Sequence, residues 1–164
     1  MTKLVTLGCS WVKGVGAKYS CNNPDDESTY LSYRSITNQN APYAWRTLLA
    51  KKYNLEQHNI AQGGSSNKTQ FRRATEYFNE VENPKDVIVL WGVTSIHRDE
   101  LFFKVLDKYK PFIFNGAAIK AESWERRTGF SAVNYFHRHF NEKNEYHQLT
   151  QNIKHWQQYF DLRG

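Results

Sequence analysis

Cysteine is scarce in this chain of 164 residues. Cys9 and Cys21 are the only two. That is too few for a disulfide framework, and their spacing fits no metal-ligand pattern, so both read as reduced thiols. With four prolines and nine glycines, the chain carries neither a low-complexity tract nor an internal repeat. Long apolar runs are also missing. Val87 to Val93 is the longest, far short of the roughly 20 residues that a membrane-crossing helix needs. The start, Met1-Thr2-Lys3-Leu4, lacks the apolar core of a secretory signal, which makes a cytoplasmic location the default expectation. Blocks of like charge are absent too. The chain carries a formal charge of +6 and a pI near 9.3, but the basic residues are interleaved with acids, as in Glu122-Ser123-Trp124-Glu125-Arg126-Arg127. Such mixing describes a solvated face and disfavours a nucleic-acid partner.

What is present suits a packed core. Apolar residues make up 40% and aromatic ones 15%, enough for one globular domain spanning residues 1–164. Lys3-Leu4-Val5-Thr6-Leu7 reads as a first strand that stops at Gly8. From Cys9 to about Asn40 the polar and glycine-rich composition predicts a long loop. Asn40-Ala41-Pro42 has the chemistry of a helix start, and Trp45, Leu48, Leu49 and Lys52-Tyr53 supply an apolar stripe after it. Leu55 to Ala61 predicts a second strand, ending at Gln62-Gly63-Gly64. Phe71, Ala74, Phe78 and Val81 then recur at helical steps, so the sequence predicts an amphipathic helix from Asn67 to about Glu82. Asp86 to Gly92 is continuously apolar, as expected for a central parallel strand covered on both faces.

Strands alternating with helices imply right-handed crossovers, a parallel sheet and a strand order of 2-1-3. Beyond the third strand the pattern changes. Leu101 to Ile119 is aromatic and mixed, with Pro111 to Gly116 readable as a short strand or a buried loop. Tyr146, Leu149, Ile153, Trp156 and Phe160 step at helical spacing, and Val133, Phe136 and Phe140 extend the stripe upstream, which predicts a long helix with a core-facing aromatic side. The chain ends right after that helix with no strand behind it, which favours a fold incomplete at its C-terminus.

Three segments follow the three predicted strands: Gly8-Cys9-Ser10-Trp11-Val12-Lys13-Gly14, Asn59-Ile60-Ala61-Gln62-Gly63-Gly64-Ser65, and Gly92-Val93-Thr94-Ser95. Loops beyond the carboxyl ends of neighbouring parallel strands converge on one crevice. A hydroxyl, a glycine-bordered amide and a short polar side chain around one volume are what acyl transfer requires.

The first segment resembles the G-D-S-x-x-x-G block of the SGNH, or GDSL-like, hydrolases. It matches at Gly8, Ser10 and Gly14, with Cys9 in place of the Asp. The second resembles that family's N-x-x-x-x-G block through Asn59 and Gly64. The third stands where the family has G-x-N-D, with Thr94 in the asparagine's place. The resemblance implies a three-layer, flavodoxin-like α/β fold and hydrolysis of acyl or acetyl esters. Ser10 would be the nucleophile and Gly64 and Thr94 the oxyanion donors. Trp11, Asn59, Ser65 and His97 would border a small-molecule or carbohydrate ester. No cofactor, metal or membrane partner is implied.

The family's D-x-x-H block, which supplies the catalytic base, occurs nowhere in the sequence. Either the chain is a fragment that stops before that block, or it is a relative that has lost catalysis. A non-catalytic carbohydrate- or ligand-binding module using the same crevice is the alternative from another class, with Trp11, Trp91 and loop tyrosines as apolar faces. The bland readings are a helix cap for Ser10, a tight turn for Gly63-Gly64, a surface or supporting role for His97, and solvated positions for His137, His139, His147 and His155. Gly14-Val15-Gly16-Ala17-Lys18 matches neither common phosphate-binding pattern.

Overall fold

The computed structural model describes residues 1–13, 41–81, 84–113 and 128–163, and the side chains of Ser10 and Trp11 lie outside what it describes. Of the loop predicted from Cys9 to about Asn40, residues 14–40 fall outside the described residues, as does the region 114–127, while Ser10–Lys13 at its start form a helical turn instead. The chain divides into two compact units. One comprises Met1–Gly63 and Arg73–Val93, the other Gly64–Arg72 and Thr94–Gly164.

The first unit is built on a parallel sheet in the order β2-β1-β3, the order expected from the sequence. Strand β1 (Lys3–Leu7) pairs with β2 (Glu56–Asn59) on one side and β3 (Val87–Trp91) on the other. Being flanked on both sides, β1 is the central strand, and Leu4, Val5, Thr6 and Leu7 are fully buried. The expectation for β3 is corrected here. It lies beside β1, it is half-buried, and Ile88 is 44% exposed. An apolar run reports preference for a sheet, not a place within it.

Between β1 and β2 runs α2 (Trp45–Lys52), preceded by a short 3-10 turn over Ala41–Tyr43. The helix starts later than Asn40-Ala41-Pro42 suggests, with Ala44 at its N-cap and no side-chain cap. Its predicted stripe is also corrected. Trp45, Leu48 and Tyr53 are exposed, whereas Ala44, Arg46 and Ala50 are buried. Arg46 goes inside because main-chain carbonyls wait for its guanidinium there.

Helix α3 (Asn67–Glu80) follows β2. Ser66 caps it: the Ser66 hydroxyl accepts the Thr69 N–H at 3.1 Å, and the Thr69 hydroxyl accepts the Ser66 N–H at 3.3 Å. This reciprocal pair satisfies two otherwise orphaned donors. Ala74 and Phe78 are buried as the periodicity predicts. The residues of α3 up to Arg72 belong to the second unit and the rest to the first.

The second unit holds an antiparallel hairpin of β4 (Arg98–Phe103) and β5 (Lys108–Ile113). Pro111 is tolerated in β5 because, among the described residues, this sheet has only two strands and so only edges. Phe112 centres a cluster with Leu101, Phe103, Leu106, Phe130, Tyr135 and Phe140. The single long helix of the sequence reading is two. Helix α4 (Ala132–His139) and helix α5 (Glu142–Arg163) are separated at Phe140-Asn141. Asn141 starts α5, its side-chain oxygen accepting the Asn144 N–H at 3.1 Å. The core-facing stripe on α5 is corrected as well. Trp156 alone is buried, while Tyr146 and Ile153 are exposed. His137, His139, His147 and His155 are exposed, as expected.

Candidate functional site

The register places the ends of the three parallel strands level with one another. Thr6 pairs with Asn59 and Leu7 with Trp91. Just beyond, the Ile60 N–H donates to Thr6 O, the Gln62 N–H to Gly8 O, and the Gly92 N–H to Leu7 O. In the first unit, therefore, the segments that begin at Gly8, Ile60 and Gly92 leave the same edge of the sheet.

Ser10 opens α1 (Ser10–Lys13), a single helical turn closed by the Lys13 N–H on Cys9 O at 3.0 Å. Two glycines let that turn sit down on the sheet. Gly8 has φ +152, and a Cβ built there would lie 2.3 Å from Val12 Cγ2. A Cβ on Gly92 would meet the same methyl at 2.4 Å. Val12 is 6% exposed, wedged between the ends of β1 and β3. The glycines at the first and third segments are thus explained by close packing against Val12.

Each segment after a strand is also held by a side chain. After β1, buried Arg46 of α2 donates from Nε to Val12 O at 3.0 Å and from Nη2 to Lys13 O at 2.9 Å. These bonds offset the cost of burying the cation, and burial holds its pKa below the ordinary arginine value. After β2, Arg73 donates to Ile60 O at 2.9 Å and to the Gln62 side chain at 3.0 Å. Asn59 accepts from the Thr6 hydroxyl at 3.1 Å and from the Ala61 N–H at 3.2 Å, which fixes the bend where β2 stops. Cys9, the residue before α1, is buried, and Cys21 lies outside the described residues.

Gly64 and Thr94 belong to the second unit. Gly64 has φ +74, with nothing within 4 Å of the place a Cβ would take, so its requirement is conformational and not one of space. Ser65 next to it is completely buried. Thr94 is held by Asn67, which behaves like a strand neighbour. The Thr94 N–H donates to Asn67 Oδ1 at 2.9 Å, and Asn67 Nδ2 donates to Thr94 O at 2.9 Å. His97 follows closely. Its ring Nδ1 lies 3.2 Å from the Ser95 hydroxyl, its own N–H donates to that hydroxyl at 3.1 Å, and it stacks on Phe140 with centroids 5.3 Å apart.

Beyond this segment, α3 and β4 are joined by two ion pairs. Lys68 lies 2.9 Å from Asp99, and Arg72 binds Glu100 in a two-pronged pair at 2.9 Å on each prong. Asp99 and Glu100 are buried, and unpaired carboxylates there would be costly. For Lys68, burial pulls its pKa down, but the hydrogen bond and charge of Asp99 outweigh it and the net shift is upward. Tyr135 is raised by burial first and by the Asp99 charge next.

Sequence reasoning named Ser10, Trp11, Asn59, Gly64, Ser65, Thr94 and His97. It missed Arg46, Asn67, Arg73 and Val12, the residues that hold the segments in place. An arginine in an amphipathic helix reads as a solvent-facing residue, so Arg46 gave no signal. Asn67, directly after Gly63-Gly64-Ser65-Ser66, gave a weak one as a polar residue at a helix start. Among the described residues, no cluster of three or more His, Cys, Asp or Glu is placed to hold a metal. No helix described is long and apolar enough to cross a membrane. The chain matches no protein-family profile, and no curated protein or solved structure is significantly similar to it.

Proposed function

We propose that this chain is an SGNH-like serine hydrolase of acyl or acetyl esters on a flavodoxin-like, three-layer scaffold. Ser10 is the nucleophile, and the Gly64 amide and Thr94 hydroxyl are the oxyanion donors. The observation that carries the reading is the parallel β2-β1-β3 sheet whose segments after the strands start from one edge. Open parallel sheets use that edge for ligands. The second support is rigidity. Arg46, Arg73 and Asn67 tie the three segments down, and donors aimed at a developing charge help only when they need no reorganisation. Thr94 serves as a weaker donor than the family's asparagine, since a hydroxyl offers one hydrogen. Trp11, Asn59, Ser65 and His97 are assigned to the surroundings of the ester.

The lack of any D-x-x-H sequence favours a second reading, a binding module that recognises an ester or sugar without cleaving it. A fluorophosphonate probe separates the two. Under the hydrolase reading, peptide mapping finds the label on Ser10. Labelling is slow because the sequence has no D-x-x-H block to supply a base, faster when imidazole is added, and absent in Ser10→Ala. Saturable binding of an acetylated sugar with no label on Ser10, with or without imidazole, would replace the hydrolase by the module.

A further inference from the structure

The second unit carries a small cleft that the acyl-transfer reading does not use. Glu145 and Leu149 stand one turn apart on α5 and so share a face. With Phe71 of α3, Ile96 and Arg98 they border the cleft, and all of these residues belong to that one unit. The enclosed part measures about 30 Å³, far below the space that drug-sized ligands occupy. An occupant is therefore a small molecule bound by its charged head. Two opposite charges line the cleft without meeting. Arg98 opens β4, and its Nη1 is shut off from solvent with no hydrogen-bond partner. Among the described residues its guanidinium also has no ion pair, and the half-buried Glu145 carboxylate has neither a hydrogen bond nor an ion pair. The Glu145 charge reaches Lys68, which borders the cleft too, but Lys68 is already held by Asp99 at 2.9 Å. A buried donor left without a partner is costly, and a charged one more so.

We propose that this cleft binds a small zwitterion of the α-amino-acid class, with its carboxylate on Arg98, its ammonium on Glu145 and its apolar side chain against Phe71, Ile96 and Leu149. Each charge disfavours a simpler occupant. A plain anion gains Arg98 but is set against Glu145, and a plain amine gains Glu145 but is set against Arg98. A molecule that carries both charges on neighbouring atoms satisfies both. The planar guanidinium matches a carboxylate through parallel hydrogen bonds, which a lysine in its place would not provide. The apolar wall adds a preference for a ligand with a hydrocarbon side chain. Ile96 is buried and Phe71 and Leu149 are half-buried, so covering what remains of their surface is favourable.

The test is an NMR chemical-shift titration of the whole 164-residue chain with L-valine, with isovalerate, which lacks the ammonium, and with isobutylamine, which lacks the carboxylate. L-valine is expected to bind saturably, and each half-ligand about tenfold or more weaker, as the loss of one charge-assisted contact implies. Arg98→Met keeps the stem and removes the guanidinium. It lowers the affinity for L-valine and isovalerate but not for isobutylamine. Glu145→Gln does the converse, weakening L-valine and isobutylamine but not isovalerate. Far-UV circular dichroism checks that each variant is folded. Should Arg98→Met not fold, Glu145→Gln, on a half-buried helix position, decides the matter through its own selective loss. The proposal is overturned if L-valine does not bind saturably, or if isovalerate binds the unaltered chain as tightly as L-valine does. It is also overturned if either variant weakens both half-ligands alike, or leaves the affinity for L-valine unchanged.

Discussion

At the scale of single residues, glycines and buried polar side chains shape the candidate site. Gly8 and Gly64 both have positive φ, but their surroundings differ. At Gly8 an added methyl collides with Val12, so Gly8→Ala combines overpacking with backbone strain and should cost about 2–4 kcal/mol. At Gly64 the methyl meets nothing, and Gly64→Ala should cost about 1–2 kcal/mol for the left-handed conformation alone. Urea denaturation of the two variants checks the order. Equal losses would mean that Val12 is not the obstacle. Asn67 provides a second case. Asn67→Ala leaves the N–H and the carbonyl of Thr94 without their partner and should cost about 1–3 kcal/mol. Asn67→Asp should not rescue it, because a carboxylate still accepts from the Thr94 N–H but is set against the Thr94 carbonyl. Thermal melts of both variants, in which Asp matches the wild type, would refute the assignment.

At the scale of elements, the joint between α3 and β4 depends on cations spaced one helical turn apart meeting adjacent acids on a strand. The raised values of Lys68 and Tyr135 mean that the folded chain holds these protons more tightly than the unfolded chain does. Stability from them is therefore complete below the ordinary values of 10.5 and 10.0 and is lost as pH rises through the folded ones. Lys68 is 44% exposed, so solvent screens part of the effect. The melting temperature should start to fall above about pH 10. Lys68→Met should lower stability at neutral pH, by stranding the buried Asp99, and make the alkaline decline shallower. A variant with an unchanged alkaline slope would remove Lys68 from this account. The hairpin and the paired helices were the elements least legible in the sequence. Leu101 to Ile113 mixes lysines with aromatics and shows no clean alternation, because one face packs on the Phe112 cluster while the other keeps Phe102 and Tyr109 half-exposed. The break before α5 had a signal that the periodicity overrode, namely Asn141 followed by Glu142, a start signature in the middle of an apolar stripe.

At the scale of the whole molecule, the proposed chemistry meets a missing part. Serine attack needs a base that takes the hydroxyl proton and returns one to the leaving group, and no D-x-x-H sequence supplies it. These 164 residues should therefore hydrolyse p-nitrophenyl acetate barely above background, and Ser10→Ala should change the rate little. Brisk turnover that depends on Ser10 would contradict this and would direct the search for a base to the chain's own histidines, His97 first. The strands β1 to β3, the helix after β2 and the parallel order were legible in the sequence because each follows from a local pattern. A short β-branched run, a 3.6-residue stripe and alternation of strand with helix are properties of neighbouring residues. What holds the segments after the strands was decided only by tertiary structure. Arg46 meets Val12 across 34 positions and Asn67 meets Thr94 across 27, and no periodicity reports a partner that far away. For the same reason the sequence set the apolar stripe of α5 but not its exposure, and it set Phe102 and Tyr109 but not their meeting. A side chain's spacing fixes the face of its own element, whereas burial depends on which other element comes to cover that face.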